Sequence, residues 1–255
     1  MKRLLLADNR DELLSTLEVV LKHWGYRVLA LSRPVDILQS LEASHPGLLI
    51  FGEDLLQSSS EALNRALAHL LHDPASATIL LKGHGPDALH PTETPRLDVP
   101  VDLFVLFEKV QACIESHPRR NLRLTVSLPG MVCLGERSNL AEVISVSRQG
   151  LFIKTTFQLG ADDNLRVVLP LFGMKKELEL QGKVIYRVEP NVLNNYRQGV
   201  GIEFTALAAE EQQILEDYLE KQLLEELTES QRGTDLDPRQ LQLHSGSMVR
   251  IVKLP

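Results

Sequence analysis

Three arginines fall within five residues, Arg119, Arg120 and Arg123, in the run Ser116-His117-Pro118-Arg119-Arg120-Asn121-Leu122-Arg123. The guanidinium is a planar fork that makes two-point contacts to phosphate oxygens, and its face stacks on a nucleobase. Arg119 and Arg123, four apart in a linker, suit a clamp on a nucleotide phosphate that closes when the linker folds against the segment after it. A second polar group, Ser145-Val146-Ser147-Arg148-Gln149-Gly150, separates two predicted strands. Its hydroxyls donate and accept hydrogen bonds, and Gly150 is expected to take φ > 0 in the turn. Taken singly, the first is also what a solvated basic linker looks like and the second an ordinary hairpin.

Other chemistry-bearing residues do not assemble. The eight histidines are scattered; His69 and His72 share a helix face, but no carboxylate or thiol stands at ligand spacing. Cys113 and Cys133 lack CxxC or Cys/His spacing and read as small buried hydrophobes in a reducing compartment. Asp162-Asp163-Asn164 lacks the ligand alternation of a calcium loop, and Gly83-His84-Gly85 lacks the strand-to-helix setting of a phosphate loop. The expectation is no metal, no cofactor and no catalysis.

The chain has 255 residues, 44% hydrophobic and 24% charged, which fits one large or two ordinary globular domains. No apolar run approaches the ~20 residues of a membrane span. Leu4-Leu5-Leu6 leads at once into Ala7-Asp8-Asn9, which reads as neither signal peptide nor anchor, so a cytoplasmic location is expected. Net charge is −7, unevenly spread: 10 basic against 16 acidic residues over 1–117, 12 against 8 over 118–206, and 5 against 10 over 207–255. The overall field repels polyanions, so no direct nucleic-acid binding is expected, while a local basic patch for a small anion is compatible with it.

The first half alternates short apolar strands with amphipathic helices. Strands are predicted at Leu4–Ala7, Arg27–Leu31, Gly47–Phe51, Thr78–Leu81 and Arg96–Val99, and helices over Asp11–Trp24 and near Val35–Ala43, Ser60–Leu71 and Asp102–Ser116. Apolar strands between helices predict a parallel five-stranded sheet, flavodoxin-like, over residues 1–117. From Leu122 the pattern changes to six β-rich runs, Leu124–Val132, Leu140–Val146, Leu151–Thr155, Leu165–Leu171, Leu178–Val188 and Val200–Phe204. Turn signals at Pro129-Gly130, Gly160–Asn164 and Asn194-Asn195 separate them, which predicts an antiparallel β-barrel. A long helix, Leu207–Glu229, carries a leucine stripe with acids opposite, and it suits either packing within the chain or pairing with a second copy. The domains expected are 1–117, 118–230 with the helix, and a polar tail at 231–255 in which Met248–Leu254 reads as a short strand, suited to adding to a sheet edge or to a frayed terminus.

Residues 1–117 resemble the receiver domain of bacterial response regulators, through Leu4-Leu5-Leu6-Ala7-Asp8-Asn9, Pro46 to Gly52, and Val99-Pro100. That family implies an acidic pair, a phosphorylated Asp, a Ser/Thr and a Lys; here Asn9, Gly52, about Lys82 and Val99 stand at the second acid and the three other positions. The resemblance therefore implies a receiver-like scaffold without phosphorylation, kept for docking or dimerisation. Residues from 118 to about 222 resemble the PilZ domain, whose cyclic di-GMP ligand is bound by RxxxR and (D/N)xSxxG. Arg119 to Arg123 satisfies the first motif, and Ser145 to Gly150 satisfies the second except that Ser145 replaces Asp or Asn. The close Gly199-Val200-Gly201-Ile202-Glu203-Phe204 is also similar. What the resemblance implies is a bacterial signalling adaptor that binds cyclic di-GMP through Arg119, Arg120, Arg123, Ser145, Ser147 and Gly150. Binding would order the linker, reorient the receiver-like domain and so control a protein partner met through that domain or the long helix. The alternative is a PilZ-fold adaptor that no longer binds nucleotide.

Overall fold

In the computed structural model the described residues are 3–57, 60–73, 76–83, 94–172, 174, 176–192, 198–230 and 236–243. The expected strand at Met248–Leu254, His84-Gly85 and the Asn194-Asn195 turn lie outside them. The described chain forms two compact units: residues up to Arg120 together with Glu225–Leu243, and Asn121–Leu224.

In the first unit, β1 (Arg3–Ala7), β2 (Arg27–Leu31), β3 (Leu48–Gly52), β4 (Thr78–Leu81) and β5 (Arg96–Leu97) form a parallel sheet in the order β2-β1-β3-β4-β5. This is the flavodoxin-like order, which places strand C-termini along one edge where ligands bind in such folds. Every residue of β3 is buried, because helices cover both faces. Those helices are α1 (Asp11–His23), α2 (Pro34–Ala43), α3 (Glu61–His72) and α4 (Leu103–Ile114). Their starts follow from local chemistry. Pro34 occupies the first turn of α2, Ser60 Oγ accepts from Leu63 N, and Asp102 Oδ1 accepts from Phe104 N and Val105 N at 2.8 and 3.1 Å. Gly25, at φ +87°, turns the chain from α1 into β2. Leu5, Leu49, Phe51, Leu63 and Leu80 belong to one core cluster of this sheet, and Trp24 meets Phe107 edge-on with centroids 5.2 Å apart.

Part of the expected tail belongs to this unit. Pro238–Gln240 forms one 3-10 turn whose Asp237 N donates to Thr16 Oγ1 of α1 at 3.0 Å, and Leu241 pairs with Val101 in a parallel bridge. Leu241 is buried, so the polar run 236–243 carries an apolar anchor.

The second unit is a closed antiparallel barrel of β6 (Arg123–Leu134), β7 (Arg137–Ser147), β8 (Gly150–Lys154), β9 (Asn164–Leu171), β10 (Lys176–Val188) and β11 (Gly199–Ala206), ordered β10-β11-β8-β7-β6-β9. Closure leaves no unpaired edge. Alternation sends Leu124, Val146, Leu151, Ile202 and Val184 inward, all nearly inaccessible. Pro129-Gly130 is not the turn expected: both lie within β6, Gly130 opposite Ala141, and the chain reverses instead around Gly135 at φ +60°. Gly130 serves there as a small residue, since a Cβ would crowd Val143 Cγ2 at 3.2 Å.

The last helix, α5 (Ala209–Ser230), buries Leu215, Tyr218, Leu219, Leu223, Leu224 and Leu227. The acids do not all lie opposite that stripe, for Glu216 and Glu220 are buried too. No described helix is long and apolar enough to cross a membrane.

Candidate functional site

The two arginine- and serine-bearing segments meet on the barrel. Arg123 opens β6 and pairs in register with Ser147, the last residue of β7, which in turn pairs with Gly150, the first of β8. Arg123 is exposed, Ser147 is buried, and Ser147 Oγ donates to the Gly150 carbonyl at 3.0 Å, closing the Arg148-Gln149 turn. Ser145 lies two residues back on the same strand, half-buried and opposite Thr125. Arg119 and Arg120 precede the strand and are exposed; Arg119 N donates to Gln111 Oε1 at 3.1 Å.

Gly150 differs from expectation. Among described glycines φ is positive only at Gly25 and Gly135, so a left-handed turn is not what glycine supplies here. What it supplies is space: a Cβ on Gly150 would overlap the Ile202 carbonyl oxygen of β11. Glycine thus lets β11 close against the motif turn, and Phe204 N donates to the Gln149 carbonyl at 2.9 Å.

Two contacts at this site were not foreseen. Asn121 Nδ2 donates to Gln149 Oε1 at 2.7 Å, tying the arginine-bearing entry segment to the serine-bearing turn. Arg148 Nη2 pairs with Glu216 Oε1 of α5 at 2.8 Å, and the acid's side chain is only 11% exposed. Burial of a carboxylate is tolerated when a cation meets it. Asn121 and Gln149 are 28 residues apart, and no local pattern signals their pairing.

The C-terminal edge of the parallel sheet is arranged differently. Asp8 is fully buried, and the side chain of Arg10 covers it. Arg10 Nε and Nη2 donate to the two carboxylate oxygens at 2.8 and 2.7 Å, and Nη1 donates to the Lys82 carbonyl at 3.1 Å. The hydrogen bond to Asp8 holds the Arg10 guanidinium above its ordinary pKa. A Cβ on Gly52 would overlap Asp8 Oδ2. Lys82 turns its amine to Asp98 at 3.4 Å, and Glu53 accepts from Gly83 N at 3.4 Å while facing Arg96 at 3.6 Å.

Elsewhere, Cys113 is half-buried and burial raises its thiol pKa, while Cys133 is buried. His72 Nδ1 lies 2.7 Å from the Ala68 carbonyl. No group of three His, Cys, Asp or Glu with metal-holding geometry occurs among the described residues.

Residues 117–221 match the family model of the PilZ domain. The barrel is a PilZ domain. Its match takes in the arginine run, the Ser145–Gly150 segment and most of α5. No curated protein matches the chain. Among solved structures, the chain is similar to the inhibitor of motility MotI/DgrA of Bacillus subtilis at 17% identity, covering 43% of this chain and 52% of that one, TM-score 0.38. It is likewise similar to the PilZ domain of YcgR from Escherichia coli with c-di-GMP, at 14% identity over 45% and 97% of the two chains, TM-score 0.36. A third is the signal receiver domain of an HD domain-containing protein from Pseudomonas fluorescens Pf-5, at 25% identity over 45% and 94%, TM-score 0.38. The match spans about half the length of the Bacillus protein. The unit before the PilZ domain is receiver-like in strand order and connection.

Proposed function

We propose that this chain is a cyclic di-GMP receptor and signalling adaptor with no catalysis of its own, in which residues 118–230 bind the nucleotide and residues 1–117 serve as a receiver-like module without phosphoryl chemistry. The observation that carries the reading is the register of Arg123, Ser147 and Gly150 on three adjacent strands of a PilZ barrel, with Arg119 four residues ahead on the entry segment.

In this reading Arg119 and Arg123 hold phosphates and stack on guanine, Arg120 adds positive charge, and Ser145 and Ser147 supply hydrogen bonds. Gly150 keeps the turn close to β11. Ordering of the entry segment on binding reorients the receiver-like module, a population shift that requires only that the ligand prefer one arrangement. The first module's silence is supported by Arg10, whose guanidinium satisfies Asp8 where a receiver would hold a cation, and by Gly52, which offers no nucleophile. The output is a protein partner, met in the cytoplasm through the receiver-like face or α5, or a second copy of the chain.

Titration calorimetry of the full chain with cyclic di-GMP, with GTP and cyclic AMP as controls, tests this. Saturable heat from cyclic di-GMP alone is expected, and its loss by at least about a hundredfold in the Arg119→Ala, Arg123→Ala double variant, at unchanged melting temperature because both side chains are exposed. Ser145, where the motif has Asp or Asn, favours the second reading, a PilZ-fold protein adaptor that has lost the nucleotide. Absence of heat and of any thermal shift at high ligand concentration establishes that reading instead.

A further inference from the structure

The segment that carries Arg119 and Arg120 is fastened on either side of the boundary between the units, which falls between Arg120 and Asn121. On the barrel side, the Asn121 amide is tied to Gln149 of the Ser145–Gly150 segment. On the other side, the backbone N–H of Arg119 donates to Gln111 Oε1 at 3.1 Å. Gln111 belongs to the last turn of α4, where its own carbonyl accepts from Glu115 N at 2.9 Å as the helix ends. Its side chain therefore leaves a helical base and catches the chain eight residues on.

Tyr26 decides which way that side chain faces. The ring is buried just ahead of β2, directly after the Gly25 turn, and its hydroxyl accepts from Gln111 Nε2 at 2.8 Å. Burial pushes the Tyr26 phenol above its ordinary pKa, which keeps it neutral. A carboxamide carries its donor and its acceptor on opposite branches, so seating Nε2 on Tyr26 turns Oε1 toward the Arg119 N–H. Tyr26, Gln111 and Arg119 form one hydrogen-bonded chain, and all three belong to the first unit. The chain holds the backbone of Arg119 while the residue itself stays exposed.

Building on the cyclic di-GMP reading, we propose that Gln111, set by Tyr26, is a latch that keeps Arg119 with the receiver-like unit in the free protein and yields it when the nucleotide binds. A clamp on one ligand needs Arg119 to join Arg123 and Ser147, which belong to the barrel. Asn121 is already fastened to the motif turn, so the contact the clamp has to break is the one to Gln111. Breaking it opposes binding by the worth of one hydrogen bond, and a protein that must leave a latched state binds its ligand correspondingly less tightly. Linkage makes the effect reciprocal: nucleotide at the arginines frees the end of α4, and whatever reinforces the hold of α4 on Arg119 weakens the nucleotide. Gln111 is thus a positioning residue in the receiver-like unit that sets the affinity of the barrel.

The test removes both side-chain partners together, because loss of Gln111 alone leaves the buried Tyr26 hydroxyl unsatisfied. The full chain carrying Gln111→Met with Tyr26→Phe is compared with wild type by titration calorimetry with cyclic di-GMP, and the Arg119 amide is followed by nitrogen-15 NMR. Binding about fivefold tighter than wild type is expected, a gain that damaged packing does not produce. Tyr26→Phe alone, which loosens the latch without cutting it, is expected to give a gain of about twofold. In the free proteins the Arg119 amide proton is expected further downfield in wild type than in the double variant, and cyclic di-GMP is expected to bring the two to one position. Circular dichroism melts confirm that each variant folds. Affinity in the Gln111→Met, Tyr26→Phe variant equal to or weaker than wild type, with wild-type binding lost in the double arginine variant, overturns the latch and leaves the receptor reading intact. Absence of binding in wild type and variant alike overturns both.

Discussion

The two units keep their scaffolds equally well, but treat their functional edges in opposite ways. At the edge of the parallel sheet, the buried acid Asp8 is satisfied by Arg10 from two residues away, and Gly52, without a side chain, leaves room for the Asp8 carboxylate. On the barrel, Arg123 is exposed, as are Arg119 and Arg120 ahead of it in sequence, and the absent side chain at Gly150 brings two strands together. One glycine accompanies a closed site and the other helps shape an open one. A fold does not by itself specify the chemistry at its edge, and function must be argued from the site.

The largest expected effect comes from trying to reopen the closed edge. Gly52→Asp forces a second carboxylate against buried Asp8, and an uncompensated buried charge costs on the order of 3–5 kcal/mol. A sharp drop in melting temperature is expected, with no label taken up from acetyl phosphate because Arg10 still occupies Asp8. Wild-type stability together with phosphorylation of this variant would erase the contrast between the two edges.

Gly150→Ala probes the open edge and is expected to act less strongly. Its methyl group meets the Ile202 carbonyl, an overpacking of the kind that costs about 1–3 kcal/mol. Chemical denaturation should report that loss, accompanied by weaker cyclic di-GMP binding. Unchanged stability would mean that the turn and β11 separate freely and that close approach is not what glycine provides.

Ser145→Asp is the gentlest change and the one that sharpens the comparison. A half-buried serine becomes the residue the motif carries elsewhere, adding a charge-assisted acceptor. Affinity for cyclic di-GMP should rise about tenfold. An unchanged dissociation constant would show that the hydroxyl already suffices or that this position does not face the ligand.

Much of this arrangement was legible in the sequence, for reasons that differ by element. Leu48 to Phe51 is continuously apolar because β3 is covered on both faces, and Leu124 and Val146 alternate with polar neighbours because the barrel is covered on one. Short-range spacing exposes both patterns. Pro129-Gly130 misled because turn residues also suit a strand where a neighbour comes close, and only the opposing Val143 discloses that reason. Asp8 and Gly52 could be read at their positions, but not the fact that Arg10 bends back to fill the gap. Asn121–Gln149, Arg148–Glu216 and the Phe152–Tyr186 stack link residues 28 to 68 apart, through a register that bulges shift. No single-sequence periodicity carries such information.

The bridge between Val101 and Leu241 also bears on the order in which this protein is made. A ribosome adding about 5–20 residues per second must translate the whole barrel after Val101 before Leu241 emerges, a delay on the order of ten seconds. Through that interval the nascent receiver-like unit has its sheet and four helices but not the 3-10 turn that hydrogen-bonds Thr16. The barrel therefore has time to fold while its neighbour is still incomplete, and residues 237–241, translated after the barrel, finish the unit begun before it.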